Sequence, residues 1–170
     1  MRRFLLAATL VTAAALAGCG KQQAQSTGSE ETAAEPAAAP AAEEGLTDAQ
    51  KQTLLASLPA PYNTGDVANG KKAFLVCKSC HTLVEGGANM TGPNLHGVFG
   101  RKAGTEGGFA YSEELKASGL VWDAATIDKW VANPKAMVAG TKMSFVGVKN
   151  EKDRVDLVAY LKTETSAAPE

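Results

Sequence analysis

The sequence has few of the residues that build metal and redox sites, since its 170 residues include only three cysteines and two histidines. It also lacks a surplus of charge: 17 Lys and Arg stand against 18 Asp and Glu, for a formal net charge of −1. A nucleic-acid-binding protein would show a basic patch, so we predict no nucleic acid among its partners. No internal repeat is visible, and no segment alternates apolar and polar residues as a half-buried strand does. One helical domain with appendages is therefore expected.

The one long apolar run lies at the start, in MRRFLLAATLVTAAALAGC. Arg2 and Arg3 precede the apolar residues 4–17, a run shorter than the ~20 residues that a membrane-spanning helix needs. This pattern predicts an export signal over residues 1–18. The end of the run resembles the lipobox of bacterial lipoproteins, which predicts that Cys19 is acylated and that its acyl chains hold the protein at a membrane. An ordinary secretory signal with a chance cysteine near its end is the alternative.

Two segments, residues 19–45 and 46–64, follow the predicted signal. The first consists of Ala, Glu, Pro, Gln and Ser with no large apolar residue, so it is predicted to be a disordered linker behind the lipidated cysteine. In the second, Thr47 and Gln50 stand at capping-box positions of a short helix that carries three leucines on one side and stops at two prolines. We predict a helix and a proline brace on the main domain, with docking of a partner as the alternative.

Residues 65–163 carry three further helical patterns, and a short tail follows at 164–170. One helix runs into a pair of cysteines, another has Asp123 as its predicted N-cap and Pro134 as its predicted end, and the last has Asn150 as its N-cap. The glycine-rich stretch 82–122 separates the first two and is unusually long for a loop inside a compact domain. Because the helices alone offer a modest core, we expect a large apolar cofactor to fill the centre.

The motif CKSCH, from Cys77 to His81, identifies that cofactor. Cys-x-x-Cys-His is typical of c-type haem attachment, in which two thiols add to the vinyl groups of the porphyrin and the histidine binds iron. Two residues between the cysteines, on a helical turn, match the spacing of the vinyl groups. In an exported protein this motif is strongly specific, and it predicts one covalently attached haem c.

Three other interpretations of the cysteine pair are less well supported. A zinc site needs four ligands, and beyond Cys77, Cys80 and His81 only His96 remains as a good donor. A thioredoxin-type redox pair needs a preceding strand and a βαβ context, which the sequence does not show. A disulfide between cysteines three residues apart on a helix is geometrically poor and would leave the long loops without a filler.

The sixth iron position has four candidate ligands: Met90, Met137, Met143 and His96. Any methionine is also an ordinary core residue. Met143 differs because it lies in PKAMVAGTKMSFVG, between two helices, where glycine lets the backbone approach a ring closely. Met90 stands in a polar glycine loop and is predicted to be exposed, whereas Met137 is predicted to pack in the core.

From residue 65 to about 162 the chain resembles class I cytochrome c of the mitochondrial and bacterial c2 type. The matching stretches are GDVANGKKAF, CKSCHT, TGPNLHGVFGRKAG, NPKAMVAGTKMSFVG and RVDLVAYLK. The resemblance implies an all-α class I cytochrome c fold, with few helices and long loops wrapped around one haem. It implies His81 and Met143 as axial ligands and Cys77 and Cys80 as the thioether residues.

The same resemblance implies further haem-pocket roles. The Pro93 carbonyl would accept the His81 ring N–H, and other residues would surround the haem and its propionates: Arg101, Tyr111, Trp122, Trp130 and Thr141. His96 would be a structural residue bonded to the backbone. The chain departs from the family at Leu115, where an asparagine is common, and at Trp130, where a tyrosine is common. Both departures replace a hydrogen-bonding side chain with a less capable one, so the family's haem potential cannot be transferred to this chain.

The resemblance implies a one-electron carrier, not an enzyme, that links membrane complexes such as a bc1-type donor and a terminal oxidase or their photosynthetic counterparts. With the export and lipid signals, it predicts a monomer anchored at the periplasmic side of a bacterial membrane. Lys78, Lys135, Lys142 and Lys149 could form part of the family's lysine ring. Val76, Met90 and Ala136 occupy other places that are often basic, so long-range steering should be weak. A peroxidase-like enzyme with a labile Met143 is the alternative.

Overall fold

The computed structural model describes residues 45–169, which form six α-helices joined by turns and loops. The helices are α1 Asp48–Ala56, α2 Val67–Ala73, α3 Glu113–Ala117, α4 Ala124–Ala132, α5 Pro134–Met137 and α6 Glu151–Thr165. Short 3-10 turns span Tyr62–Thr64 and Phe74–Val76. Within residues 45–169 the extended pairing amounts to one antiparallel bridge, between Lys102 and Val121. The predicted all-α class is confirmed. The predicted signal, Cys19 and nearly all of the linker lie outside the described residues.

The predicted helix starts at Thr47, Asp123 and Asn150 are confirmed. The Thr47 hydroxyl accepts the Gln50 amide at 3.3 Å, and the Gln50 side chain accepts the Thr47 amide at 2.9 Å, so the capping box is complete. Asp123 accepts the amide of the third residue of α4 at 2.7 Å, and Asn150 does the same in α6 at 3.2 Å. These bonds satisfy amides that have no partner inside the helix, which fixes where each helix begins.

The structure corrects the sequence analysis at two places. The stretch 82–122 is not loop throughout, because α3 lies within it and is capped by the buried hydroxyl of Ser112. Pro134 was predicted to close the second helix of the domain. It does follow the end of α4, but it also opens α5 as its first residue. Proline is favoured there because the first helical N–H needs no intrahelical acceptor.

Helices α2 and α6 cross closely and form the centre of the fold. A Cβ at Gly70 would stand 2.0 Å from the Asp156 carbonyl oxygen, so only glycine permits this approach. In the 3-10 turn that follows α2, the ring of Phe74 lies 5.6 Å from that of Tyr160 in α6. The buried apolar face of α6, which includes Leu157, extends this core toward α4.

The residues that precede the main domain pack on its surface. Leu54 of α1, Leu58 and Tyr62 are all buried, and α1 and the following 3-10 turn both contact α6. An ion pair of 3.5 Å joins Lys51 to Glu164 at the edge of this contact. None of the helices within residues 45–169 is both long and apolar enough to cross a membrane.

Candidate functional site

A cavity of about 350 Å³ with predominantly apolar walls lies between the 3-10 turn that follows α2, helices α3, α4 and α6, and the long loops. Every residue that the sequence predicts to bind or surround haem lines it: Cys77, Cys80, His81, Pro93, Arg101, Tyr111, Trp122, Trp130, Thr141 and Met143. These residues come from five separate stretches of the chain. The fold therefore brings the whole predicted set to one place.

The two thiols are presented by turns that continue α2. The Cys77 amide donates to the Phe74 carbonyl at 2.8 Å, and the Cys80 amide donates to the Cys77 carbonyl at 3.0 Å. This turn brings both half-buried thiols to the same wall of the cavity, and neither is in a disulfide. Burial, with a smaller contribution from Cys80, raises the pKa of the Cys77 thiol to about 11, so this thiol is neutral at physiological pH.

The imidazole of His81 is held by the loop that faces the cysteines. Its Nδ1 lies 2.7 Å from the Pro93 carbonyl oxygen, which can only accept, so Nδ1 carries the proton and Nε2 is left as a donor of its lone pair. Burial lowers the pKa of His81, and the bond to Pro93 offsets this only in part. A buried neutral imidazole with a fixed tautomer is the form that binds a metal.

Gly92 fixes the plane of that ring. A Cβ on residue 92 would stand 2.4 Å from Cε1 of His81 and 2.8 Å from both ring nitrogens. The Gly92 amide also donates to the Cys80 carbonyl at 2.9 Å, which ties this loop to the thiol-bearing turn. The ring is thus packed directly against the backbone on one side and held by Pro93 at its edge.

Met143 approaches the cavity from the loop between α5 and α6. Its amide donates to the Thr141 hydroxyl at 3.2 Å, and the neighbouring Lys142 ammonium donates to the Ala110 carbonyl at 2.7 Å. Of the methionines in the described residues, Met143 alone lines the cavity. As predicted, Met90 is 48% exposed and Met137 packs against the core.

His96 does not line the cavity. Its Nε2 lies 3.9 Å from the Glu85 carboxylate, and its backbone amide donates to the Asn94 side chain at 2.9 Å. The predicted bond from the ring to the backbone is not among the contacts of residues 45–169. In the same residues no three of His, Cys, Asp and Glu converge as metal ligands, which disfavours the zinc interpretation.

Arg101 lines the cavity, but its guanidinium also has protein acceptors. It pairs with the Glu106 carboxylate and donates at 3.0 Å to the carbonyls of Asn94 and His96. Sequence reasoning missed Glu106, because nothing in its polar loop indicates which cation it meets. The Tyr111 ring lies beside this group; burial is the main reason that its pKa is raised, so its hydroxyl remains a donor.

Two tryptophans and a leucine contribute to the apolar walls of the cavity. The rings of Trp122 and Trp130 meet edge to face, with centroids 5.2 Å apart. Leu115, in the unpredicted helix α3, is buried and also lines the cavity. Four other apolar wall residues were not assigned to the haem pocket from the sequence: Phe109, Phe145, Leu157 and Leu161. The broad apolar face of the last helix indicated the two leucines as core residues.

Comparison with known proteins finds relatives among the cytochromes c. The family model for cytochrome c matches residues 67–165. Cytochrome c2 of Rhodomicrobium vannielii is 48% identical over 103 residues, which cover 61% of this chain and 82% of that protein. Cytochrome c of Stellaria longipes is 45% identical over 105 residues, 61% of this chain and 97% of that protein. The solved structure of cytochrome cH from Methylobacterium extorquens superposes with a TM-score of 0.55 at 50% identity, over 58% of this chain and 99% of that one.

The fold and the site together define a small all-α protein that encloses one covalently bound haem c. The chain belongs to the cytochrome c family, with relatives of the class I c and c2 types. Proteins of this family are electron carriers and not enzymes, which agrees with the prediction of a single-haem carrier and disfavours the peroxidase alternative. The cavity fits this cofactor, because it combines apolar walls with two thiols, an imidazole nitrogen and a thioether sulfur.

Proposed function

We propose that this protein is a membrane-anchored carrier of single electrons between membrane redox complexes, with its haem held by Cys77, Cys80, His81 and Met143. The observation that carries the assignment of these four residues is that they line one apolar cavity although they come from two distant parts of the chain. In this proposal Cys77 and Cys80 would hold the haem through thioethers, and His81 and Met143 would supply the nitrogen and sulfur ligands of its iron.

When bound, haem c supplies an iron that cycles between the ferric and ferrous states, so one electron is accepted from a donor and one is passed to an acceptor. The residues of the chain keep that site rigid and dry. Pro93 and Gly92 hold the His81 ring in one orientation. The two tryptophans and Leu115 give the cavity apolar walls, which disfavour water. A methionine ligand raises the potential relative to two histidines, which suits a carrier that delivers electrons to an oxidase.

The remaining assignments come from the sequence and the family. We propose that residues 1–18 are an export signal, that Cys19 is lipidated, that 19–45 is a linker and that 46–64 braces the domain at 65–163, with 164–170 as its tail. This places a monomer on the periplasmic side of a bacterial membrane, where a bc1-type complex would reduce it and an oxidase-type complex or a photosynthetic centre would oxidise it. The anchor raises the effective concentration near these partners without attractive charge.

Ligation is tested by expressing the full chain in a bacterium with haem-attachment machinery. The intact mass of the mature protein should include one porphyrin, and the ferric spectrum should be low-spin with the long-wavelength methionine-to-iron band. Met143→Ala should abolish that band, whereas Met90→Ala, at an exposed methionine outside the cavity, should keep it. A ferric spectrum that Met143→Ala leaves unchanged would exclude Met143 as a ligand.

Anchoring is tested separately with Cys19→Ala. The parent should fractionate with membranes and carry a lipid mass at its N-terminus. The variant should appear in the soluble fraction with the same haem spectrum. If parent and variant partition alike, Cys19 is not the anchor, and the haem assignment is unaffected.

A further inference from the structure

The segment 46–64 lies outside the residues that the family model matches, which begin at residue 67. It nevertheless contributes Leu58 and Tyr62 to the main hydrophobic core of the domain. Tyr62 is buried, and it is also the one residue of the segment whose side chain reaches a charged group of α4. The contacts of this tyrosine connect the segment to the haem site.

Tyr62, Asp128 and Arg154 form a hydrogen-bonded group, called here the Tyr62 triad. The Tyr62 hydroxyl donates to one carboxylate oxygen of Asp128 at 2.9 Å, and the Nε of Arg154 donates to the other at 2.5 Å. The side chains of Asp128 and Arg154 are only 19% and 16% exposed, so solvent competes weakly for these bonds. Burial, followed by the bond to Asp128, raises the pKa of Tyr62 to about 12, so its hydroxyl is a donor at neutral pH.

Arg154 connects the triad to the loop that contains Met143. This loop, residues 138–149, is called here the Met143 loop. The Nη1 of Arg154 donates to the Lys149 carbonyl at 3.0 Å and to the Val148 carbonyl at 3.3 Å, at the C-terminal end of the loop. The Val148 amide in turn donates to the Val131 carbonyl of α4 at 2.8 Å.

The triad therefore orients the guanidinium that holds one end of the Met143 loop. A guanidinium is a planar fork of donors, so its direction is set by whichever acceptors it meets. Asp128 sets the direction of Arg154, and Tyr62 occupies the carboxylate oxygen that Arg154 does not use. If Tyr62 is lost, the carboxylate can rotate toward water and the guanidinium can follow it. The loop end is then held less firmly, five residues from Met143.

We propose that Tyr62 is a positioning residue for Met143, and that the segment 46–64 thereby controls how firmly the sulfur is kept at the haem. This inference rests on the proposed role of Met143 as an iron ligand. It assigns to a segment outside the family domain an effect on the cofactor that the domain holds.

The test is competition between Met143 and added imidazole in the ferric full-length holoprotein. Imidazole binds only when the sulfur leaves the iron, so its apparent affinity reports how firmly the loop holds Met143. Tyr62→Phe removes the hydroxyl and keeps the ring that packs in the core. We expect it to raise the imidazole affinity about three- to tenfold, since the lost bond was made to a charged group.

The matched control is Tyr160→Phe, at another buried tyrosine, whose ring packs on Phe74 in the 3-10 turn that follows α2. It should change the imidazole affinity less than about twofold, even if it lowers the melting temperature. Asp128→Asn, which keeps the shape of the side chain and removes its charge, should act in the same direction as Tyr62→Phe and at least as strongly.

Two results would overturn the inference. One is an imidazole affinity of Tyr62→Phe within twofold of the parent. The other is an effect of Tyr62→Phe that persists in a Met143→Ala background, because a residue that acts through the Met143 loop must lose its effect when the sulfur is absent. Absence of the methionine-to-iron band in the unmodified protein is a separate outcome. It would refute the assignment of Met143 as an iron ligand before any variant is compared.

Discussion

His81 shows how a single side chain is prepared for its task by its neighbours. The Pro93 carbonyl selects the tautomer, burial keeps the ring neutral, and Gly92 leaves the ring in direct contact with the backbone. The first two effects determine the protonation of the imidazole, and the third determines the position of the ring. A substitution at Gly92 can change the ring position without removing the hydrogen bond to Pro93.

Gly92→Ala should displace the His81 ring, because the added methyl group would lie well inside contact distance of three ring atoms. We expect the holoprotein to lose about 1–3 kcal/mol of stability, the usual cost of overpacking, and the ferric haem spectrum to change. Thermal unfolding and optical spectra measure both effects. Gly107→Ala is the matched control, since nothing lies within 4 Å of a Cβ there. Equal behaviour of the two variants would contradict this role of Gly92.

Glu106 marks the limit of what single residues reveal in a sequence. The motif around Cys77 and His81 has a chemical meaning at fixed spacing, so it could be read directly. The partner of Arg101 depends on where a polar loop folds back, which no local pattern encodes. Every predicted pocket residue lines the cavity, yet the Glu106 carboxylate beside Arg101 appears only in the structure.

At the scale of helices, the contact between α2 and α6 combines close packing with a buried charge. Asp156 of α6 is 2% exposed and accepts the Asp66 amide at 2.8 Å, the Asn69 side chain at 2.7 Å and the Lys152 ammonium at 2.5 Å. Burial by itself raises the pKa of Asp156, but these hydrogen bonds outweigh it, so its pKa is lowered overall. The ionised carboxylate therefore ties the start of α2 to α6.

The lowered pKa predicts a dependence of stability on pH. The stabilisation is fully present above the unfolded pKa of about 4, and it is lost as the pH falls through the lower folded value. Asp156→Asn should thus be less stable than the parent by about 2 kcal/mol at pH 7, with a difference that shrinks in acid. Glu151→Gln, an exposed acid-to-amide change on the same helix, is the control. Denaturant unfolding at several pH values measures this, and a difference independent of pH would refute it.

Helix α1 should be held by its leucines and not by its ion pair. Leu54 is buried, so Leu54→Ala should cost about 2–4 kcal/mol of unfolding free energy. Lys51→Ala removes the half-exposed pair with Glu164 and should cost less than about 1 kcal/mol. Chemical denaturation of the two holoprotein variants compares these values. A larger loss for Lys51→Ala would show that charge, and not burial, fixes this helix.

The helices were predictable where a cap and an apolar period coincide, as at Thr47, Asp123 and Asn150. Helix α3 was missed because five residues with one buried leucine give no period to detect. Pro134 was interpreted as an end alone, although the same backbone geometry that stops one helix suits the first residue of the next. In the Tyr62 triad, Tyr62 and Asp128 are 66 residues apart in the sequence, and Asp128 and Arg154 are 26 apart. No local pattern indicates such pairs, so only the folded chain reveals them.

At the scale of the whole molecule, charge is nearly balanced. The entire chain has a net charge of −1, and residues 65–170 contain 13 Lys and Arg against 12 Asp and Glu. Several apolar side chains are exposed on the same domain, among them Val76 and Val146. Such a surface gives partners little long-range attraction, so encounter should depend on short-range contact and, in the proposed anchored form, on attachment to the membrane.

The rate of electron transfer should accordingly depend little on salt. For the Cys19→Ala variant, the second-order rate constant with the proposed oxidase-type acceptor should change less than about twofold between low and physiological ionic strength. Stopped-flow absorbance of the haem measures it. A control variant, Val76→Lys, adds a positive charge near the cysteine pair and should introduce a salt dependence. A tenfold fall of the parent rate with added salt would mean that a local charged patch directs docking.

The way in which residues 46–64 fasten to α6 and α4 has a practical consequence for anyone who prepares this cytochrome. A recombinant form trimmed to the family boundary at residue 67 would leave the Asp128 carboxylate with one partner in place of two and would uncover the helical surface that Leu54 and Leu58 shield. Potentials and ligand affinities measured on such a shortened form would describe an altered molecule. Preparations meant to represent the native carrier should therefore start no later than Leu46.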